Sequence, residues 1–470
     1  MDPIVPSTLG ALFLSFGPVF TGPSFENFVR LATGWMLCRG RHTVSAVIRA
    51  GGAGGKHFST LYRFFSRAEW DPDDLGRALF EVLVAFLSGA VHIIVDDTLC
   101  RRSGPHFWGA GMHHDPLKST YGGAAGGRHL ALAFGHNRVT LALWIPLPWG
   151  LERGRAVPFL WRTYRSKKRC PEREYRTRSQ LAAELLEVFT GWDLGERKIT
   201  LVGDGEYACK TVVRSLPPNV EFIGPVVMKA ALYDRPRRQR RRGRRRLKGA
   251  RLPSPEKLAA SSQRWKTVFP VICGRKVPVK VKSQVGMWYT VARTRMVRVV
   301  VTRDPKGRIE DRAYFTTDLG LSVEELLAGY SKRWSLEVAF RDAKQHLGLE
   351  DPQNGWWRRH RPRRRRRKKP GPQPRGNRGR RAIEHTVPLA FCAYGLVVAW
   401  YLRHGNPQRD VLRARKLSPW YRHKTEPSFA DMLNAIRREI CHARISAHPS
   451  LNPVRRIVQR LLLPAWSIPA

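Results

Sequence analysis

Four side chains that can do chemistry recur within a short stretch: Tyr330, Arg333, Glu337 and Lys344. If the stretch is helical, each residue advances roughly 100°, so Arg333, Glu337 and Lys344 fall about 60°, 20° and 40° to one side of Tyr330. All four then share one narrow stripe. Far upstream, two apolar runs end on acids, His92-Ile-Ile-Val-Asp96-Asp97-Thr98 and Lys198-Ile-Thr-Leu-Val-Gly-Asp204. Carboxylate oxygens are the donors that hard divalent cations take. Arg and Lys address phosphates, the first by a planar fork and the second as a point charge. Adjacent strand residues point to opposite faces, so Asp96 and Asp97 are alternatives for one position.

The elements that must position these residues are legible from pattern. Ser322-Val-Glu-Glu325 is a capping-box sequence and Gly348 a C-terminal stop, which predicts a helix over 322–347. Whether it runs straight through Gly329 stays open. Leu336, Phe340, Ala343 and Leu347 form a neighbouring stripe at core spacing, so one face can pack while the other addresses a ligand. Short branched runs at 91–95, 129–134, 139–145, 199–202 and 220–227 read as strands, with helices over 179–189 and 207–215. Three strands, then helix, strand, helix, strand is the order of a mixed α/β fold with helices flanking a sheet.

The rest of the chain divides around that core. Residues 1–89 read as helical, and the segment His57–Ser66 offers Lys56, His57, Ser59, Tyr62 and Arg63, types that contact phosphates and base edges. The core occupies 90–233 and is completed by 321–357; a basic linker covers 234–264, a β-rich insertion 265–320, a second basic segment 358–383 and a helical region 384–470. Within the insertion, strands are expected near 267–272, 277–281, 288–292, 297–301 and 312–316.

With a formal net charge of +47 over 470 residues, the partner that composition favours is a polyanion, and nucleic acid leads. The two arginine blocks self-repel, and the remainder stays strongly basic without them. The seven cysteines are scattered and include no C-x-x-C pair, which points to a reducing compartment and no structural zinc. The apolar run Thr386 to Tyr401 is uncharged but shorter than the roughly 20 residues of a bilayer span, so no membrane partner is expected and the location is read as cytoplasmic, at the nucleoid.

The spacing Y-x2-R-x3-E-x6-K, set in Tyr-Ser-Lys-Arg-Trp-Ser-Leu-Glu-Val-Ala-Phe, resembles the signature of a group of bacterial insertion-sequence transposases with an Asp-Asp-Glu triad. That family has a ribonuclease-H-like fold. The resemblance, covering about Ile93 to Gly348, makes Asp96 the first carboxylate with Asp97 the fallback, Asp204 the second and Glu337 the third. It implies that these three hold two Mg²⁺ ions, with Mn²⁺ as a substitute, for cut-and-paste DNA strand cleavage and strand transfer. Tyr330, Arg333 and Lys344 would grip the element's end, with a hairpin intermediate during excision as the family's further implication. Trp288 and Trp334, like Trp356 and Trp357, are candidates for stacking on an extruded base, although Trp in a sheet or helix is also core material. The partners implied are double-stranded transposon ends and target DNA, with a homodimer in the synaptic complex. Two other readings are another metal-dependent nuclease on the same fold and an inactive nucleic-acid binder.

Overall fold

The computed structural model describes residues 5–52, 55–102, 107–115, 118–119, 130–150, 153–236, 246–352 and 376–447. The arginine-dense residues 237–245, most of the second basic block, Trp356, Trp357 and residues 448–470 of the expected helical region lie outside the described residues.

Five helices open the chain: α1 (Ser7–Leu14), α2 (Gly22–Leu37), α3 (Val44–Gly51), α4 (Phe58–Ser66) and α5 (Pro72–Val84). Thr43 and Asp71 cap the third and the fifth by accepting from backbone N–H groups. Phe28, Trp35, Phe64 and Leu79 turn inward and are essentially unexposed. Each such burial is worth about 2–3 kcal/mol.

The central strand β1 (Val91–Arg101) starts on Val91, Ile93, Ile94 and Val95 and continues past the two acids. It does so because its neighbour is long. After β2 (Gly111–His114), the runs expected at 129–134 and 139–145 form one strand, β3 (Leu132–Pro146), antiparallel to β1 from Ile93↔Leu143 to Arg101↔Gly135. The polar residues His136, Asn137 and Arg138, which look like a turn in sequence, are buried strand positions. The strand β4 (Gly154–Tyr164), absent from the sequence reading, pairs antiparallel with β3. Pro158 in β4 lies beside a register shift at Leu141/Ala142, where a missing N–H is tolerated.

Helix α6 (Arg178–Thr190), closed by a Thr177/Gln180 capping box, leads to β5 (Ile199–Gly203). The one-turn helix α7 (Lys210–Val213) then leads to β6 (Val220–Val226). β5 runs parallel to β1, and β6 parallel to β5. The β-rich section continues the same sheet. Beyond the short strands β7 (Leu232–Tyr233) and β8 (Arg251–Leu252) come helix α8 (Pro255–Ala260) and strands β9 (Lys266–Val268), β10 (Val271–Ile272), β11 (Arg275–Lys276) and β12 (Val279–Met287). Helix α9 (Tyr289–Ala292) stands where a strand was expected, before β13 (Met296–Arg303) and β14 (Arg312–Thr316). The sheet order is β2-β3-β1-β5-β6-β14-β13-β12-β7-β8, with β4 also on β3 and β9 also on β12, while β10 and β11 form a separate two-stranded antiparallel sheet.

The helix predicted over 322–347 is two helices, α10 (Val323–Ser331) and α11 (Trp334–His346). The capping box is present: Ser322 Oγ accepts from Glu325 N at 3.1 Å and Glu325 Oε2 from Ser322 N at 2.7 Å. The bend falls at Lys332–Arg333, where Arg333 N, Ser335 N and Leu336 N bond three residues back, a local 3₁₀ tightening. Gly329 is not the hinge. A Cβ there would meet Ile223 Cδ1 at 2.9 Å, so the glycine lets α10 approach β6. Gly348, at φ +54°, ends α11 in the left-handed region as expected.

The chain closes with α12 (Asn377–His404), α13 (Pro407–Leu417), a 3₁₀ turn at Pro419–Tyr421 and α14 (Phe429–Ser446). By length and composition α12 could cross a membrane, yet 94% of its apolar window is buried inside the protein against α2, α4, α5, α14 and β4. It is a core helix.

Candidate active site

The parallel register Val95↔Gly203 sets Asp96 and Asp204, each one residue further on, side by side, Asp96 within β1 and Asp204 just past the end of β5. Asp204 leaves the strand in a tight turn: its Oδ1 accepts from Glu206 N at 2.9 Å and Tyr207 N at 3.3 Å. Glu206 therefore belongs to this turn, ahead of α7, and pairs with Arg178 at 2.6 Å. Helix α11 supplies the third carboxylate. Arg333 Nη1 lies 2.9 Å from Asp96 Oδ2 and 2.6 Å from Glu337 Oε1, so one guanidinium bridges the strand acid and the helix acid.

The electrostatics follow from that crowding. Burial, and then the negative charge of Asp204, push the Asp96 carboxyl up to about 7, against the pull of Arg333. Burial opposes the charge on Arg333, but Asp96 and Glu337 outweigh it and hold the guanidinium firmly protonated. Among the described residues no group of three His, Cys, Asp or Glu side chains stands converged for a metal ion. A guanidinium stands between two of the acids instead, and the donor set, three carboxylates with a cation already drawn among them, is of the kind a hard divalent ion takes.

Asp97 turns to the other face of the sheet, as strand alternation demands. There Tyr207 Oη donates to its Oδ1 at 3.1 Å, Asn137 Nδ2 donates to Oδ2, and Arg178 Nη1 lies 3.5 Å from Oδ2. The two adjacent acids thus have separate roles in space: Asp96 faces Asp204, Arg333 and Glu337, while Asp97 is tied into the layer behind. The backbone links them again, because Asp97 N donates to Asp96 Oδ1 at 2.8 Å.

Of the remaining stripe, Tyr330 packs against Tyr314 with ring centroids 4.6 Å apart and planes tilted by 48°, and the Arg333 guanidinium lies 6.0 Å from its ring. Lys344 is committed to the sheet, donating to the Leu99 carbonyl at 2.8 Å. The packing stripe behaves as expected, with Leu336, Phe340, Ala343 and Leu347 all buried. Trp334 is 56% exposed and free to meet a ligand, whereas Trp288 is 6% exposed and packs edge-on against Phe315 at 5.2 Å. Trp288 is thus core, and its indole has no open face for a base. At the start of α4, Lys56 is paired with Glu26 and the N-cap His57 bonds Ser59 Oγ through Nδ1 at 2.7 Å. The residues that sequence reasoning missed are Asn137, Arg178 and Tyr207; only Tyr207, three residues after Asp204, carried a local signal.

Family comparison gives two adjoining matches. Residues 18–275 match the DDE superfamily endonuclease family, and residues 267–362 match the archaeal putative transposase ISC1217 family. Asp96 and Asp204 fall in the first and Glu337 in the second. No curated protein matches. Among solved structures, the chain is similar to a piggyBac transposase synaptic complex with hairpin DNA, determined by cryo-electron microscopy. The TM-score is 0.39 at 10% identity over 97% of this chain and 81% of that one, too distant a likeness to carry an argument. The first match spans more than half of the 470 residues, and with it the chain belongs to the DDE superfamily endonucleases, as a DDE transposase.

Proposed function

We propose that Asp96, Asp204 and Glu337 are the catalytic carboxylates of this transposase, and that they hold the divalent ions for DNA strand cleavage and strand transfer of an insertion sequence. The observation that carries the reading is the meeting of three chain segments: Asp96 and Asp204 adjacent on parallel strands, and Glu337 joined to Asp96 through Arg333. When bound, two Mg²⁺ ions, or Mn²⁺ in their place, supply Lewis-acid activation of the attacking oxygen and stabilisation of the leaving one. A core of ribonuclease-H type is supported by the order β4-β3-β1-β5-β6, with β3 antiparallel to its neighbours and β1, β5 and β6 parallel.

The chain's own residues do the rest. Asp97, anchored behind the sheet, fixes the backbone that presents Asp96. Arg333 neutralises Asp96 and Glu337 while no DNA is bound, and its fork is within reach of any phosphate brought to those acids. Tyr330 and the exposed Trp334 flank that approach. The Tyr330/Arg333/Glu337/Lys344 stripe is read as the grip on the transposon end, with Lys344 acting through its hold on β1. Double-stranded ends and target DNA are the substrates, and pairing of two ends calls for a homodimer in the synaptic complex.

The test is nicking of a duplex carrying the element's end, with Mg²⁺ or with chelator. The wild type is expected to nick only with the metal, Glu337→Gln and Asp96→Asn to lose nicking, and Asp97→Asn to retain part of it. Equal nicking by wild type and Glu337→Gln would overturn the assignment.

A further inference from the structure

The segment from Arg403 to Lys424 carries an arrangement that the carboxylate site does not use. It holds seven Lys or Arg residues and one acid, Asp410. That acid is spent within the chain: buried, it accepts from Tyr401 Oη at 2.9 Å and from Arg438 Nη2 at 2.5 Å, and the largely exposed Arg409 reaches it only at 3.8 Å. The next acid along the chain, Glu426, is paired with Arg153 at 2.7 Å. What the segment presents outward is therefore cationic and apolar. On α13, Arg409, Leu412 and Lys416 are exposed and fall within about 60° of one another around the helix. The stripe runs into the 3₁₀ turn, where Trp420 is 75% exposed, the highest exposure of any large apolar side chain in the described residues, and Tyr421 is 44% exposed.

This aromatic is held out, not left loose. Pro419 starts the turn, Ser418 beneath it is buried, and Tyr421 N bonds the Ser418 carbonyl at 2.8 Å. Tyr421 stands edge-on to Trp420 at 6.2 Å and is covered by Lys424 Nζ at 5.1 Å. Helix α13 packs on α14 and on the turn itself. An indole fixed at the surface amid Arg and Lys suits a partner that offers both negative charge and flat rings. A second copy of this chain, at +47, meets the patch with charge of the same sign. A nucleic-acid strand with an unpaired base offers both: its backbone pairs with the cations, and any base has a face to stack on Trp.

We propose that α13 and the Pro419–Tyr421 turn form a second DNA-binding site, separate from the carboxylate site, which takes single-stranded or unpaired DNA. Arg409 and Lys416 track the backbone and Trp420 stacks on a base. The site requires no metal and does not depend on the assignment of Asp96, Asp204 and Glu337.

The test is fluorescence anisotropy of a labelled single-stranded oligonucleotide, and of its duplex, with the full chain in chelator and at elevated salt, where the arginine blocks contribute least. Trp420→Ala is expected to weaken single-strand binding by roughly five- to a hundredfold, the range of one base–aromatic stack, and duplex binding by less than about twofold. The double variant Arg409→Ala, Lys416→Ala should lower the slope of log affinity against log salt by about 1.4 for the single strand. Trp420 is exposed, so its variant is expected to melt with the wild type, which separates lost contact from lost fold. Unchanged single-strand affinity in Trp420→Ala overturns the proposal. So does an equal loss on duplex and single strand, or a Trp420→Ala defect seen only as loss of self-association in sedimentation or of binding to anionic vesicles. Single-strand binding is read in chelator, and the metal-site reading by nicking with Mg²⁺, so failure here and failure of that reading remain distinguishable.

Discussion

Tyr207→Phe removes one oxygen and leaves the ring. In the native chain the ring is wholly buried, and burial together with the nearby Asp97 and Asp96 charges keeps the phenol protonated, so it is always a donor. Its hydroxyl gives one of three side-chain contacts to Asp97, at 3.1 Å, while its own N–H is one of two donors to Asp204 Oδ1. Tyr207 thus ties the turn that carries Asp204 to the strand that carries Asp96, from behind the sheet. A hydrogen bond to a charged group contributes about 1.5–3 kcal/mol, and Asp97 keeps Asn137 and Arg178, so a stability loss near the lower end, ~1.5 kcal/mol, is expected in urea. The functional effect should be larger in proportion, because partners that orient ligands typically cost 10–100-fold in metal affinity when removed. The assay is a Mn²⁺ titration by electron paramagnetic resonance, beside nicking at saturating metal. A stability loss of that size with unaltered Mn²⁺ affinity would show that Tyr207 only fills space, and the tie between the two acids would be wrong.

Arg333→Gln withdraws the cation shared by Asp96 and Glu337. Mn²⁺ affinity without DNA is expected to rise by roughly tenfold, a fraction of the ~4 kcal/mol that a charge pair 4 Å apart feels near a protein surface, while nicking falls; weaker Mn²⁺ binding would contradict the bridge. Trp288→Ala should cost about 3–5 kcal/mol in urea and leave DNA affinity intact wherever the protein is folded, whereas a selective DNA defect would return Trp288 to the surface. His385 stacks on Trp70 at 4.0 Å, and burial lowers its pKa to about 4. The folded state then binds fewer protons than the unfolded one, so stability is full above about 6.5 and is lost as pH falls from there to about 4, by ~3 kcal/mol in all. Thermal melts should show that slope, and His385→Phe should flatten it; an equal slope in both would place the titration elsewhere.

Where local pattern and tertiary demand agreed, the sequence was readable. The capping box at Ser322, the stop at Gly348, β14 and the inward stripe of α11 stand where spacing put them. The failures have physical causes. β3 was cut in two because Gly135 to Arg138 is polar, and pairing with β1 on one edge and with β2 and β4 on the other makes those residues strand. Arg155, Pro158 and Arg162 broke the alternation of β4, yet Arg155 and Arg162 reach carboxylates on other elements, Asp342 at 3.0 Å and Asp73 at 2.7 Å. Trp288 to Ala292 has strand-forming residue types and is helical, so tertiary context overrode propensity. Within the site, the three carboxylates were visible as residues on their own elements. The layer behind Asp97 was not, since Asn137, Arg178 and Tyr207 come from three distant segments and meet only in the fold.

The bend between α10 and α11 matters most for the site. On a straight helix Glu337 would be a mid-helix residue, about four turns from the start of the capped stretch and about three from its end. With the break at Lys332–Arg333, Arg333 becomes the N-cap of α11 and Glu337 a first-turn residue whose carboxylate lies 2.6 Å from the Arg333 guanidinium. The same break brings Arg333 to both Asp96 and Glu337. One local tightening of the chain therefore presents a carboxylate to the strand acids and sets a guanidinium beside it. Tyr330, on the last turn of α10, is left to pack on Tyr314 of β14. Both the separation of the stripe into a packing half and a reacting half, and the contact of the reacting half with β1, follow from that bend.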